Sequence, residues 1–187
     1  MKNLVDKFSQ LARKGDAPFD ETRPPGEGPE SLSDISLLEL APAPAPLHDV
    51  IEEVVNLYRD TTPGVELVTD LDPAVDLVNI DTEQIKRVFA NLVKNAIDAI
   101  GEEGTVRLST KRAGDGRSVT VTVADDGPGV APEVADRIFR PYVSTKPTGA
   151  GLGLAIVARI VEDHGGTVSV TNNDPTGARF TLTLPLG

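Results

Sequence analysis

The sequence predicts an α+β fold, a two-layer α/β sandwich in which one mixed sheet carries helices on one face. Three observations predict it. Apolar residues recur at helical spacing over 47–58 and 82–100. Apolar and polar residues alternate with a period of two over 105–124 and 167–184, each run broken by a turn. Helices and antiparallel hairpins also interleave along the chain.

Taken in order, Leu4, Phe8 and Leu11 share one helical face of an amphipathic stub that is marginal alone in water. It reads as a frayed terminal helix or as the tail of a longer one. Residues 15–46 hold seven of the fifteen prolines. Proline fixes φ and removes a donor, so a linker without regular ladder or helix is expected there. From Leu47 the pattern is globular. Leu47, Val50, Ile51, Val54, Val55 and Tyr58 form one helix face, stopped by Thr62-Pro63-Gly64. Strands are expected over 65–70 and 75–80. Asp81 or Thr82 then caps a helix reaching about Ile100. Strands over 105–111 and 118–124 flank the turn Ala113-Gly114-Asp115-Gly116. A Gly- and Pro-rich segment, 125–149, leads into a helix from about Gly151 to Asp163. Strands over 167–171 and 178–184, joined by Asn172–Gly177, close the chain.

Composition narrows the function. The 187 residues suit one domain with an appendage. A net charge of 18 − 29 = −11 argues against a nucleic-acid partner, because phosphate binding draws on cationic side chains. Without cysteine there is no disulfide framework, thiolate metal site or Cys nucleophile, which fits a reducing cytoplasm. No run of 18 uncharged apolar residues and no signal-peptide core occur, so no membrane contact is expected of this chain. A longer parent is free to carry a membrane anchor.

Three local patterns bear on chemistry. Asn91, Asn95 and Asp98 lie four and three residues apart, on one stripe of the long helix. The stripe is either simply solvated or a set of oxygen ligands suited to a hard cation such as Mg²⁺. Asp125-Asp126-Gly127-Pro128-Gly129 ends a strand. It is either a plain turn or a carboxylate that accepts from a ligand donor, with Gly127 and Gly129 admitting a flat ligand close to the backbone. Gly149-Ala150-Gly151-Leu152-Gly153-Leu154 runs into a helix. It is either a flexible loop or a polyphosphate cradle at a helix N-terminus, with Lys146 as a point charge for the terminal phosphate. The spacing is neither the Walker nor the Rossmann pattern. Ile138–Tyr142 between these loops looks like the apolar anchor of a lid.

The order of these patterns resembles the catalytic ATP-binding domain of sensor histidine kinases, in the Bergerat-fold ATPase/kinase superfamily. Asn91 and Asn95 match the N box and Asp125–Gly129 the G1 box. Phe139-Arg140-Pro141-Tyr142 matches the F box, 149–154 the G2 box, and 177–185 looks like the closing strand. The resemblance covers 47–187 and implies an ATP site with Asn95 as the Mg²⁺ ligand and Asp125 accepting from the adenine amino group. Thr181 would assist Asp125 through water, and Gly151 and Gly153 would bind phosphates. Tyr142, Gly149, Leu152 and Leu154 complete the implied site. Tyr142–Lys146 is similar to the nitrogen-regulation branch.

Hydrolytic members of the superfamily place a Glu four residues before the metal-binding Asn, as general base for water. Here that position is Asn91. A neutral amide cannot take a proton from water, so hydrolysis forgoes a factor of roughly 10²–10⁴. Phosphoryl transfer is expected instead, with Asn91 and Lys146 at its centre. The acceptor histidine would lie on a separate dimerisation domain, with residues 1–14 as a remnant of its last helix and 15–46 as the linker. His48 and His164 are not expected to be acceptors. A response regulator would act downstream, in the cytoplasm. Two other readings stand beside this one: an anti-sigma-type serine kinase, and a nucleotide-free interaction module.

Overall fold

The structure is a computed structural model that describes residues 40–187, apart from 60, 76 and 145–150. The stub at 1–14 and the linker up to 39 lie outside the described residues.

Helix α1 (Leu47–Arg59) buries Leu47, Val50, Ile51, Val54 and Val55, the face its periodicity marks out. The hydroxyls of Thr61 and Thr62 donate to the Tyr58 carbonyl at 3.1 and 2.9 Å and close its C-terminus. Strand β2 (Val65–Leu71) follows, and then β3 (Leu77–Ile80). The latter starts two residues later than expected, because Val75 N–H turns back onto the Asp72 carbonyl. Helix α2 (Thr82–Ile100) is capped by Asp81, whose Oδ1 accepts from Gln84 N–H at 3.1 Å. Its buried face is Ile85, Val88, Phe89, Leu92, Val93 and Ala96. Strands β4 (Gly104–Arg112) and β5 (Ser118–Asp125) form the expected hairpin. The loop after β5 contains one unexpected turn of helix, α3 (Pro132–Ala135), in which Pro132 pre-sets φ for the first position. Helix α4 (Gly153–Asp163), β6 (Thr167–Asn172) and β7 (Ala178–Pro185) complete the described chain.

The main sheet is mixed, in the order β2-β4-β5-β7-β6, with β2 and β4 parallel and the other pairs antiparallel. Val106, Leu108, Val119, Val121, Val123, Phe180, Leu182 and Leu184 are buried under the helices. Residues of opposite parity form the far face. One row there runs Asp70, Ser109, Thr122, Thr181 and Ser169 across all five strands.

A second, two-stranded sheet overturns one expectation. Residues 43–46 of the proline-rich segment form β1 (Ala43–Pro46), which pairs antiparallel with β3, Ala43 opposite Ile80 and Ala45 opposite Val78. A strand addresses one neighbour from alternate residues only. Pro44 and Pro46 therefore take the outward positions, where no donor is needed, and the alanines face the partner. Alternating Ala-Pro is compatible with a ladder provided it is an edge strand.

Candidate nucleotide-binding site

The site is built along one flank of α2. Asn91, Asn95 and Ala99 follow one another at intervals of four, so they form a single stripe spanning about 12 Å at 1.5 Å per residue. Each end of the stripe meets a glycine. A Cβ on Gly153, the first residue of α4, would lie 3.0 Å from Asn91 Oδ1. A Cβ on Gly127 would lie 3.3 Å from Ala99 Cβ. The loop after β5 and the loop before α4 thus bracket Asn95, which is half-buried between them.

Asn91 Nδ2 donates to the carbonyl of Arg87, one turn back, at 2.8 Å. Its acceptor atom is thereby turned toward the start of α4. Asp98 pairs instead with Lys94 on the exposed side of the helix, Nζ to Oδ2 at 2.9 Å. Burial holds the Tyr58 hydroxyl above its ordinary pKa, and the negative charge of Asp98 adds to the effect.

Asp125 is buried at the end of β5. Its Oδ1 accepts from Gly127 N–H at 3.0 Å and Ala178 N–H at 3.1 Å. Burial raises its pKa above the usual aspartate value; the two N–H bonds work against the shift and the neighbouring charge of Asp126 works with it. Asp126 turns away and accepts from Thr105 N–H at 3.0 Å through both carboxylate oxygens. Gly129 backs onto Asn172, whose Oδ1 would be 2.9 Å from a Cβ there.

The segment read as the anchor of a lid packs onto the sheet through one aromatic ring. Phe139 packs edge-on against Phe180, with ring centroids 6.3 Å apart at 84°. Tyr142 N–H donates to the Gly151 carbonyl at 2.9 Å. Tyr142 has φ +64° and is 75% exposed, an unusual pairing of left-handed backbone and exposed ring. Gly151 also has positive φ, and a Cβ there would sit 2.6 Å from the Tyr142 carbonyl carbon, so only glycine fits. Leu152 and Leu154 are half-buried against the core beside it. Lys146 and Gly149 lie outside the described residues.

One expected site residue is displaced. Thr181 belongs to the far face of the sheet, paired with Thr122 and Ser169, whereas Asp125 points to the helix face with Val123 and Val106. A sheet separates the two, so Thr181 is not a partner of Asp125. The residue of β7 that reaches Asp125 is Ala178, through its backbone.

Neither histidine is presented to solvent as a free nucleophile. His48 Nε2 lies 3.1 Å from the hydroxyl of buried Thr110. His164 is buried; its Nε2 accepts from Asp81 N–H at 2.9 Å and its Nδ1 donates to the Ile160 carbonyl at 2.7 Å. It joins the C-terminus of α4 to the cap of α2.

This arrangement has close counterparts. The family model described as histidine kinase-, DNA gyrase B- and HSP90-like ATPase matches residues 80–187. The chain belongs to this family. Sensor histidine kinase ZraS of Klebsiella oxytoca is 41% identical over 142 residues, 75% of this chain and 30% of ZraS. The chain therefore spans under a third of that relative. The catalytic domain of histidine kinase ThkA superposes with a TM-score of 0.71 at 32% identity, covering 78% of this chain and 98% of that domain. ThkA in complex with the response regulator TrrA gives 0.69 at 25% identity, covering 100% of this chain and 58% of ThkA. Full-length ShkA in complex with AMPPNP gives 0.71 at 31% identity, covering 98% of this chain and 35% of ShkA. The fold is that of histidine kinase catalytic domains, and a domain of this ATPase family binds ATP. Among the described residues no helix is long and apolar enough to cross a membrane.

Proposed function

We propose that this chain is the Mg-ATP-binding catalytic part of a two-component sensor kinase, which transfers the γ-phosphoryl group to a histidine on a separate dimerisation domain. The stripe of α2 carries the reading: amide side chains at 91 and 95, with a glycine loop packed at each end. The residues present fit the group. Asn91 offers an oxygen toward the start of α4, and Asn95 stands between the two loops. Amide and phosphate oxygens suit Mg²⁺, which would neutralise phosphate charge when bound. Asp125 would accept from the adenine amino group with the carboxylate atom that its two N–H bonds leave over. Gly151, Gly153 and the N-terminus of α4 would hold the phosphates, with Lys146 beside them.

Catalysis here is positioning and electrostatics. Asn91 would orient the phosphoryl group without acting as a base, because an amide cannot accept a proton at neutral pH. Water is therefore a poor acceptor, and the histidine of the partner domain is the productive one. Residues 1–14 would be the end of that domain's second helix and 15–42 the connection to it, up to the start of β1. A response regulator would take the phosphoryl group onward. The AMPPNP complex of ShkA and the similarity to ZraS support this reading.

The test is a calorimetric titration with ATP and ADP, with and without magnesium, followed by labelled ATP alone and with the parent's dimerisation domain. Magnesium-dependent binding, no label on this chain and label on the added domain are expected. Stable label on His48 or His164 refutes the separate acceptor; absence of binding heat refutes the nucleotide site.

A further inference from the structure

The loop after β5 is held from outside by a turn that in sequence is a mere connection. The carbonyls of Asp125, Asp126 and Val130 and the Val130 N–H all find side-chain partners in residues 172–176, at the end of β6 and in the turn to β7. Asn173 Nδ2 donates to the Asp125 carbonyl at 2.9 Å and to the Ala178 carbonyl at 3.2 Å, while its Oδ1 accepts from Arg179 Nε at 2.9 Å. Asn172 pairs with Val130 as a strand would, accepting from its N–H at 2.8 Å and donating to its carbonyl at 2.9 Å. Thr176 Oγ1 reaches the Asp126 carbonyl at 3.4 Å. Gly177, at φ +108°, lies against the Asp125 carbonyl so closely that no Cβ fits between them. The two asparagines therefore grip the loop at both ends, Asn173 at Asp125 itself and Asn172 five residues further on.

We infer that Asn172 and Asn173 are positioning residues for nucleotide recognition: they set where the Asp125 carboxylate stands and so tune selectivity for adenine. This rests on the reading of Asp125 as acceptor for the adenine amino group. The physical reason is that the Asp125 carboxylate is held by backbone amides from two separate segments. Its Oδ1 takes Gly127 N–H from the loop and Ala178 N–H from β7, so its direction depends on how the loop is pinned to β7. Asn173 joins those two segments beside the carboxylate. Asn172 fixes the far end of the loop, and both contacts span more than forty residues of sequence.

The 187-residue chain is titrated with ATP and with ITP, whose base has a carbonyl where adenine has its amino group. Asn173→Ala, which removes three hydrogen bonds, and Asn172→Ala, which removes two, are each expected to weaken ATP about five- to tenfold by letting the Asp125 carboxylate shift, and to leave ITP within about twofold. Selectivity thus shrinks, beside a fall of a few degrees in the apo melting temperature from the lost bonds of the loop. In an Asp125→Asn background the same substitutions should add less than about twofold to the loss of ATP, because the group they position is gone. Hydrogen exchange in the apo protein should quicken at the Gly127 and Ala178 amides. Equal losses for both nucleotides, or full additivity with Asp125→Asn, overturn the inference. If Asn173→Ala fails to fold, Asn172→Ala carries the test from the other end of the loop. Should Asp125→Asn itself leave ATP binding unchanged, the reading of Asp125 falls and the inference falls with it; unchanged binding in the asparagine variants alone sinks only the inference.

Discussion

Asp125→Asn separates the recognising role proposed for this residue from its structural one. The substitution is isosteric. The oxygen of the introduced amide would still accept from Gly127 and Ala178 N–H, so the amide nitrogen must take the outer position. An adenine amino group would then meet a donor where it expects an acceptor. Losing a hydrogen bond to a charged partner costs about 1.5–3 kcal/mol, which corresponds to roughly 10- to 150-fold in affinity. The fold should not suffer. Burial already opposes the ionised form of Asp125, raising its pKa, and a neutral amide escapes that opposition. Calorimetry with Mg-ATP reads the affinity, and a thermal melt without nucleotide reads the fold. Weaker binding with an undiminished melting temperature is expected. Unchanged ATP affinity refutes the adenine assignment, and a large fall in apo stability refutes the claim that the two N–H bonds survive.

Further outcomes follow from the same geometry. The folded pKa of Asp125 stands above its unfolded value, so between the two the native state holds more protons than the unfolded one. As pH falls through that window, this group contributes stability to the apo fold while losing its ability to accept from adenine. ATP affinity should therefore fall as the pH is lowered, beginning above the ordinary aspartate value of about 3.9, and this fall should vanish in Asp125→Asn; calorimetry across pH checks both. Asn95→Ala should abolish the magnesium dependence of ATP binding while leaving the circular dichroism unchanged, and an unaltered magnesium response would place the cation elsewhere. His164→Ala should destabilise the domain by about 1–3 kcal/mol, since the part-buried Asp81 N–H loses its acceptor and the buried ring is lost with it, and denaturant unfolding measures it.

The elements legible in the sequence are those whose signal is local. Helix α2 announces itself through period and cap, and the glycine loops through spacing. What escapes a reading of the sequence depends on pairing across the chain. The ladder at 43–46 needs β3, more than thirty residues away, before its alternation of alanine and proline means anything. Asn172 and Asn173 look like ordinary turn residues until the loop at 125–130 is laid beside them. Thr181 is different, because the sequence contains the correction. Phe180, Leu182 and Leu184 alternate toward the core, so Thr181 must face away from it, as must any partner it has. The closing strand lies where the resemblance puts it, and its own parity takes Thr181 out of the site.

The helix that carries the candidate ligands also shows why two asparagines are tolerated in the middle of it. Asparagine costs up to roughly 0.7 kcal/mol relative to alanine in a helix interior, so the pair costs about 1.4 kcal/mol at most. Each large apolar side chain buried on the adjoining face contributes about 1.5–3 kcal/mol, and α2 buries Ile85, Val88, Phe89, Leu92 and Val93. Leu92 and Ala96 each follow an asparagine by one residue, about 100° around the axis, so the amides stand at the margin of the core. At that margin Asn91 can anchor its Nδ2 on its own helix and still point an oxygen across the gap to α4. Nearer the core it would need a second partner for that oxygen, and nearer solvent nothing would hold the rotamer. The position of the stripe relative to the buried face, rather than the identity of the asparagines alone, is what the proposed ligand set depends on.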